Sequence, residues 1–231
     1  MSPRKLNPHD ISFMRLKKEL LKSSRIYLIL DTQVKSYDQL FEIVKKAFQS
    51  GIRIFQLRDK CGSARDILRF CDKMCSLIND EAIFIINDRI DLALIGRADG
   101  VHLGQDDIPL SSARGMVGFE PIIGVSCQNL EHAREAQAQG ADYIGFGSVF
   151  KTLTKPDRLP MDLDLLQKVA REITIPVFAI GGINKQNIKI VLEQGIKYVA
   201  VCRSLLDADN FAKDAAELQY LIKAKEDGLR E

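Results

Sequence analysis

Short apolar runs alternate with longer amphipathic stretches along the whole chain. The apolar runs are rich in Ile, Val, Phe and Tyr, a composition typical of buried β-strands. They predict eight strands, at residues 26–31, 52–58, 83–88, 100–104, 122–127, 143–148, 177–181 and 198–203. The amphipathic stretches predict helices between them, at residues 36–49, 64–78, 130–139, 163–172 and 184–194. The chain therefore repeats a strand-and-helix unit.

Glycine marks the boundaries of this repeat. Gly51, Gly140 and Gly195 each stand just after a predicted helix and just before the next strand, where a left-handed helix cap is favoured. Repeated units with apolar strands imply a parallel sheet that is covered on both faces. Eight such strands predict a closed (β/α)8 TIM barrel, whereas the alternative, an open doubly wound sheet, normally has fewer strands. We predict a single barrel domain over residues 25–231, preceded by an N-terminal helical extension over residues 1–24.

Composition narrows the classes of function. The 33 Lys and Arg residues against 31 Asp and Glu residues leave a formal charge of +2, which is too balanced to predict binding to nucleic acid or to a membrane surface. The first 24 residues lack the apolar core of a signal peptide, and the five cysteines have neither zinc-site nor disulfide spacing. A cytoplasmic protein fits best. In its basic N-terminal extension, Ile11, Met14, Leu20 and Leu21 are expected to face inward.

Functional groups of such a barrel are expected at the carboxyl ends of its strands. The second strand runs into Gln56-Leu-Arg-Asp-Lys60. Because side chains alternate along a strand, Gln56, Arg58 and Lys60 are predicted to share one face, while Phe55 and Leu57 pack under the helices. A solvated surface loop is the simpler interpretation of these charges, but three aligned polar groups make a poor barrel core. The pattern favours a cationic stripe at the barrel mouth.

Two aspartates follow the next two predicted strands. Asp88 ends the third strand, and Asp107 follows the fourth. Adjacent strands lie about 4.8 Å apart, so the two carboxylates are expected to be close enough to share one Mg²⁺ ion. Each aspartate alone is equally well explained as a cap of the following helix. Beside Arg58 and Lys60, the pair favours a metal–phosphate site.

Further segments provide ligands for anions. The fifth strand ends near Ser126, and the sixth leads into Thr152-Leu-Thr-Lys155, whose hydroxyl and ammonium groups suit an anion, although an ordinary surface loop has the same composition. The seventh strand ends in Gly181-Gly182, a turn whose backbone N–H groups can approach a phosphate. Two anion sites that face one cavity suggest an enzyme that joins two phosphorylated substrates and releases pyrophosphate.

Six motifs occur in a specific order and spacing between about residues 27 and 206: Gln56-Leu-Arg-Asp-Lys60, Asn87-Asp88, Ala98-Asp-Gly-Val-His-Leu-Gly-Gln-Asp-Asp107, Gly124-Val-Ser126, Thr152-Leu-Thr-Lys155 and Ile180-Gly-Gly-Ile183. This set resembles the thiamine phosphate synthase family. The resemblance implies a (β/α)8 barrel that couples hydroxymethylpyrimidine pyrophosphate to hydroxyethylthiazole phosphate. It also implies a dissociative reaction, in which the thiazole nitrogen captures a pyrimidinylmethyl cation, so that no protein nucleophile is needed.

The resemblance implies a role for each matched residue. Asp88 and Asp107 would hold Mg²⁺ as the cofactor. The leaving pyrophosphate would be bound by Asn87 and by four predicted catalytic residues, Arg58, Lys60, Ser126 and Lys155. The thiazole phosphate would be bound by Thr152, Thr154 and Gly182. Further predicted substrate-binding positions are Gln56, Gln105, Cys202 and Arg203.

Some positions leave alternatives open. Where the family commonly has a small hydroxyl residue after strand eight, this chain reads Val201-Cys-Arg-Ser204, so that Arg203 either grips the thiazole phosphate or turns away. His102 is expected either to touch substrate or to be a hydrogen-bonded core residue. A related thiazole tautomerase would be expected to have a histidine shortly after Ser126, whereas position 128 is Gln.

The last alternative is a barrel that binds phosphorylated ligands without catalysis. Paired aspartates argue against it, because they disfavour anions unless a metal ion lies between them. We expect small phosphorylated molecules as partners, with neither nucleic acid nor membrane, and leave open whether the protein forms a homo-oligomer.

Overall fold

Eight parallel strands close into a barrel in chain order in the computed structural model of the protein, which confirms the predicted fold class. The structure describes residues 8–152 and 159–228, with side chains from residue 15 onward. The strands are β1 (Ile26–Asp31), β2 (Ile54–Arg58), β3 (Ile83–Asn87), β4 (Gly100–Leu103), β5 (Ile122–Cys127), β6 (Tyr143–Phe146), β7 (Val177–Ile180) and β8 (Tyr198–Val201). Each strand pairs with the next in the chain, and β8 pairs with β1 to complete the closure.

Helices cover the outside of the barrel and one of its ends. They are α1 (Pro8–Ser23), α2 (Tyr37–Gln49), α3 (Ala64–Ile78), α4 (Ile90–Ile95), α5 (Leu110–Val117), α6 (Leu130–Ala138), α7 (Leu163–Glu172), α8 (Ile188–Glu193), α9 (Arg203–Leu206) and α10 (Phe211–Asp227). Gly51, Gly140 and Gly195 follow α2, α6 and α8 with the same φ of 86°. The glycine signal that defined the repeat is therefore confirmed, because a side chain is strained at such positive φ.

Several predicted strands end later in the chain than the observed strands, and one predicted helix starts too early. The third strand stops before Asp88, whose φ of 64° is incompatible with a strand, and β7 stops before Gly181, whose φ is 108°. The prediction placed Arg203 in the last strand, but this residue begins α9. The helix predicted from residue 184 begins at Ile188, because the Asn184 N–H donates to the side chain of Asn187 (2.9 Å) in a preceding turn. Near the barrel mouth, the regular strands thus end one or two residues earlier than predicted, at polar and glycine residues.

Two apolar layers follow from the alternation of side chains along the strands. Phe55 and Leu57 on β2 are buried in the layer between the barrel and its helices, as predicted. Between them, Gln56 points to the barrel interior, where it is 3% exposed. The amino-terminal part of that interior is filled by Ile54, Ile83 and other apolar side chains. This part of the barrel is therefore a packed core, and a cavity with room for a ligand lies at the carboxyl end of the strands.

Helix α1 covers the amino-terminal end of the barrel. Leu21 reaches the interior apolar layer and Leu20 packs against it, as expected, whereas the side chains of Ile11 and Met14 lie outside the described part of the chain. Lys17 is only 4% exposed and pairs with Asp99 (Nζ–Oδ1 3.0 Å) just before β4. Its ammonium group also donates to the carbonyl oxygen of Ala82 (2.5 Å). A lysine from the basic face of the helix is thus buried, which the sequence pattern does not reveal.

The substitution Lys17→Met should lower the free energy of unfolding by about 3 kcal/mol, because it leaves the Asp99 carboxylate buried without its cation. Burial already raises the pKa of Asp99 above its ordinary value. Urea denaturation measures the loss. Lys22→Met is the matched control, since Lys22 lies on the same helix in an exposed pair with Glu19, and we expect it to change stability by no more than about 1 kcal/mol. Equal effects of the two substitutions would contradict a structural role for the buried pair.

Candidate active site

A cavity of about 450 Å³ opens at the carboxyl end of the barrel. The predicted site residues that line it are Gln56, Arg58, Asn87, Ser126, Thr152, Gly182, Cys202 and Arg203. Lys60, Asp88 and Asp107 lie beside this lining, next to Arg58 and Asn87. Thr154 and Lys155 fall outside the described residues. Barrel closure therefore gathers side chains from strands that are far apart in the chain around one opening.

Arg58 is fixed at the end of β2 by a buried carboxylate. Its Nη1 donates to Asp31 (2.8 Å) and to the side-chain oxygen of Gln33 (2.9 Å). Asp31 ends β1, is fully buried and also accepts the backbone N–H of Gln33 (2.9 Å). A guanidinium group has five N–H donors in a fixed plane. Among the described residues, Asp31 and Gln33 engage only Nη1, so that the other donors of Arg58 can bind an anion in the cavity.

Asp88 and Asp107 are brought together, as their placement after neighbouring strands predicts. Their carboxyl groups hydrogen-bond to each other, and Lys60 donates to Asp88. Burial, followed by the hydrogen bond with Asp107, raises the pKa of Asp88 above its ordinary value. Asp107 also accepts the backbone N–H of Gly104 (2.6 Å). The close carboxylates favour either a shared proton or a cation between them.

The donor set of this pair suits Mg²⁺. Both candidate ligands are oxygen donors, and within residues 15–152 and 159–228 no cluster of three or more His, Cys, Asp or Glu side chains has the arrangement of a metal site. Mg²⁺ typically takes one or two carboxylates and completes its octahedron with water and substrate phosphate oxygens. Two carboxylates beside a cavity that is lined by cationic groups therefore fit a magnesium ion that is completed by a phosphorylated ligand.

The loop that carries Lys60 is organised by Asp59. This carboxylate accepts hydrogen bonds from the Tyr37 hydroxyl and from the backbone N–H groups of Cys61 (2.9 Å) and Gly62 (2.6 Å). Burial acts to raise the pKa of Asp59, but these hydrogen bonds outweigh it and the pKa is lowered. A Cβ at Gly62 would lie 2.0 Å from Asp59 Oδ2, so any other residue would have to displace this carboxylate. The fold of the loop directs Lys60 toward Asp88.

Ser126 is held from two sides. His102 Nε2 lies 2.9 Å from its Oγ, and Gln105 Nε2 donates to its backbone oxygen (2.5 Å). Gln105 thus binds the backbone of β5 and lies outside the cavity lining. His102 is 8% exposed, has hydrogen-bond partners at both ring nitrogens and also lines the cavity. It is a hydrogen-bonded core residue placed where it borders the ligand space.

The opposite side of the cavity has unsatisfied polar groups. Gly181 and Gly182 have φ values of 108° and 65°, and a Cβ at Gly182 would lie 2.5 Å from the carbonyl oxygen of Lys151. Behind this turn, Arg203 Nε and Ser204 Oγ are buried and have no hydrogen-bond partner in the described part of the chain. The Nη1 of Arg203 pairs with Asp207 (3.1 Å). Buried donors without a partner at a glycine turn are suited to an anion.

Three groups of residues at this opening escape the sequence analysis. Asp31 stands at the carboxyl end of the first strand, and the rule that identified Asp88 and Asp107 could have identified it as well. Tyr27 and Tyr143 are ordinary strand residues by composition, so their hydroxyl groups gave no signal. The hydroxyl of Ser204 becomes notable only because it has no hydrogen-bond partner among the residues that the structure describes.

Comparison with known proteins places these features in a family. The model of a family described as thiamine monophosphate synthase matches residues 26–205. A thiamine-phosphate synthase of Methanosarcina mazei is 38% identical over 215 residues, which cover 93% of this chain and 89% of that protein. One of Syntrophomonas wolfei is 40% identical and covers 85% and 95% of the two chains. The structure of a thiamine phosphate pyrophosphorylase from Pyrococcus furiosus superposes with a TM-score of 0.80 at 35% identity, over 91% and 98% of the two chains.

The substitution Asp31→Asn should weaken the binding of inorganic pyrophosphate, measured by calorimetry in the presence of Mg²⁺. The neutral amide holds the Arg58 guanidinium less firmly than the buried carboxylate does, so we expect the dissociation constant to rise about tenfold. Asp38→Asn is the control, because Asp38 pairs with Lys73 on the helical surface. An unchanged dissociation constant in Asp31→Asn would show that Arg58 needs no anchor.

Proposed function

This chain belongs to the thiamine monophosphate synthase family, and we propose that its barrel mouth joins a pyrimidine pyrophosphate to a thiazole phosphate. The protein is thus a transferase of thiamine biosynthesis that acts on small phosphorylated substrates. In the proposed reaction, 4-amino-2-methyl-5-hydroxymethylpyrimidine pyrophosphate and hydroxyethylthiazole phosphate give thiamine phosphate and pyrophosphate. One observation carries this assignment: a single cavity lies between the Arg58–Lys60–aspartate group and the unsatisfied donors behind Gly182.

The first step is departure of the pyrophosphate. The bond between the pyrimidine methylene carbon and the bridging oxygen breaks, and both electrons leave with the oxygen. Arg58, Lys60, Asn87 and Ser126 would bind the negative charge as it grows, together with Lys155 from the segment outside the described residues. Asp88 and Asp107 would hold Mg²⁺, which neutralises charge on the pyrophosphate when it is bound. The side chains act by electrostatic stabilisation, and none of them forms a covalent bond to the substrate.

The second step is capture of the pyrimidinylmethyl cation. The lone pair of the thiazole nitrogen forms the new carbon–nitrogen bond, which requires the thiazole to be held in line while water is kept away. The backbone at Gly182, the hydroxyls of Thr152 and Thr154, and the Arg203 and Ser204 donors would hold its phosphate. Holding two reactants in a productive arrangement accounts for a large part of the rate enhancement in reactions of this kind.

The residues of the site also argue against the two rival functions, a thiazole tautomerase and a non-catalytic binding barrel. Position 128 is Gln, where the tautomerase reaction is expected to need a histidine, and the complete Arg58–Lys60–Asp88–Asp107 set has no use in that reaction. In a non-catalytic binding barrel, the hydrogen-bonded aspartate pair would disfavour the binding of anions and would have no function. Incubation with both substrates and Mg²⁺ decides the matter, with thiamine phosphate as the expected product. Tight thiazole phosphate binding without product would favour the binding barrel.

Location and assembly remain proposals. None of the helices in the described ranges is long and apolar enough to cross a membrane. We propose a cytoplasmic enzyme without nucleic-acid partners, in keeping with its near-neutral charge of +2. Sedimentation measurements test whether it forms a homo-oligomer.

The substitution Asp107→Ala should reduce Mg²⁺-dependent release of pyrophosphate at least about 100-fold, because it removes half of the proposed metal site. A coupled pyrophosphate assay measures turnover, and circular dichroism verifies the fold. Asp106→Ala is the control, since Asp106 is the exposed neighbour in the same turn. Unchanged turnover in Asp107→Ala would refute the metal assignment.

The substitution Arg203→Ala should raise the KM for the thiazole phosphate about tenfold and leave the KM for the pyrimidine pyrophosphate within about twofold of wild type. The expected selectivity follows from the position of Arg203 just after β8, where it lines the cavity together with Gly182, and from the assignment of Arg58 to the pyrophosphate. Steady-state kinetics with each substrate varied in turn provide the measurement. Lys213→Ala, an exposed change on α10, serves as control. If both KM values rise together, Arg203 has no selective part in binding the thiazole phosphate.

A further inference from the structure

An unbroken row of hydrogen-bonded side chains crosses the interior of the barrel. Gln56 Nε2 donates to the Tyr27 hydroxyl (2.6 Å), which lies 2.8 Å from the Tyr143 hydroxyl. The Tyr143 hydroxyl lies 3.0 Å from His102 Nδ1, and His102 Nε2 lies 2.9 Å from Ser126 Oγ. The row therefore connects strands β2, β1, β6, β4 and β5. It ends at Ser126, a predicted ligand of the leaving pyrophosphate.

The protein is shaped to accommodate this row. Tyr27 is 1% exposed and Tyr143 is fully buried, and their rings meet edge to face with centroids 5.6 Å apart. A Cβ at Gly124 would lie 2.0 Å from Tyr143 Cζ, and one at Gly145 would lie 3.2 Å from His102 Cε1. Two glycines thus leave the space that the two rings occupy. Burial raises the pKa of both tyrosines, so each hydroxyl keeps its single proton.

One order of donors gives every proton in the row an acceptor within the row. The Gln56 amide nitrogen donates to the Tyr27 oxygen, and the Tyr27 proton goes to Tyr143. The Tyr143 oxygen then accepts from Tyr27, and its proton goes to His102 Nδ1. In this order His102 is neutral, with an unprotonated Nδ1 and a proton on Nε2. That proton is donated to Ser126 Oγ.

We propose that the row from Gln56 to Ser126 holds His102 as the neutral Nε2–H tautomer and thereby fixes Ser126 as a hydrogen-bond donor toward the cavity. With one lone pair engaged by His102, the only proton of the Ser126 hydroxyl is left for a ligand. His102, Tyr143 and Tyr27 are positioning residues, because they act on the ligand through Ser126. That this ligand is the leaving pyrophosphate rests on the proposed function.

The opposite order would make Ser126 unsuitable for an anion. If His102 Nδ1 carried a proton and donated it to Tyr143, the Tyr27 oxygen would accept from both Tyr143 and Gln56, and the Tyr27 proton would have no acceptor within the row. Ser126 would then donate to Nε2 and present only lone pairs to the cavity. Lone pairs repel a phosphate oxygen, whereas a hydroxyl proton binds it. The amide of Gln56, on the far side of the barrel, therefore determines the chemistry offered by Ser126.

The first experiment is nitrogen NMR of the wild-type protein labelled with ¹⁵N-histidine. The sequence has three histidines, and His9→Gln and His132→Gln identify the signals of His102 by elimination. We expect the shift of an unprotonated, hydrogen-bonded nitrogen at Nδ1 and that of a protonated nitrogen at Nε2 near neutral pH. An Nδ1–H tautomer or an imidazolium would overturn the proposal. This measurement requires neither activity nor a substitution in the row.

The second experiment is a double-substitution cycle on turnover. Ser126→Ala removes the donor that is directed at a charged ligand, and Tyr143→Phe removes the hydrogen bond that holds His102 in the tautomer that orients this donor. Each should therefore lower kcat by about 10- to 100-fold. The double variant should be no slower than Ser126→Ala, since Tyr143 acts only through that hydroxyl. Multiplying losses would show that Tyr143 acts on substrate by itself and would overturn the proposal.

The matched control is Tyr198→Phe, which removes a hydroxyl that donates to the backbone of Lys22 at the other end of the barrel. Its ring also packs against Phe178, so it reports the effect of losing a tyrosine hydroxyl from the same aromatic cluster. We expect nearly wild-type kcat, and a loss as large as that of Tyr143→Phe would contradict a specific row. A wild-type protein that makes no thiamine phosphate would refute the proposed function, and the NMR spectrum would still decide the order of donors.

Discussion

A polar group inside the packed interior of a closed barrel has to find its hydrogen-bond partner there, because the surrounding side chains exclude water. An unpaired buried donor or acceptor costs about 1–3 kcal/mol. Gln56, Tyr27, Tyr143 and His102 meet this requirement among themselves, strand to strand across the interior. At the closed end, Lys17 and Asp99 meet it as an ion pair. The need for satisfied polar groups therefore determines which side chains can point where.

The cationic groups of the mouth are subject to the same constraint. Arg58 is anchored by a fully buried carboxylate, so its position is set before a ligand arrives. Lys60 instead pairs with the partly exposed Asp88, and such an exposed pair contributes little to stability. Arg203 shares Asp207 with Lys35. In the proposed reaction, an arriving phosphate would therefore take over Lys60 and Arg203 at small cost, whereas Arg58 would remain where Asp31 holds it.

The sequence predicted the fold class because the signals for it are local. Apolar runs, amphipathic helices and glycines such as Gly51 and Gly195 each report on their own few residues, and closure into a barrel follows from their number. The convergence of Asp88 and Asp107 could be predicted for the same reason, since strand neighbours follow from chain order. What could not be predicted depends on contacts between distant strands: the anchor of Arg58, the partner of Lys17 and the link from Tyr143 to His102.

Stability and chemistry are separated along the barrel axis. The closed end holds apolar side chains, with Leu21 of α1 packed against Ile54, Ile83 and Ile122 at the first positions of their strands. The open end holds the backbone conformations that a stable core would avoid, such as Asp88 at a φ of 64°. Strain and unsatisfied donors like Ser204 Oγ are tolerable there because the packed half supports them. The row of tyrosines and His102 lies between the two regions. Its burial makes it rigid, and its polar groups connect the interior to the Ser126 hydroxyl.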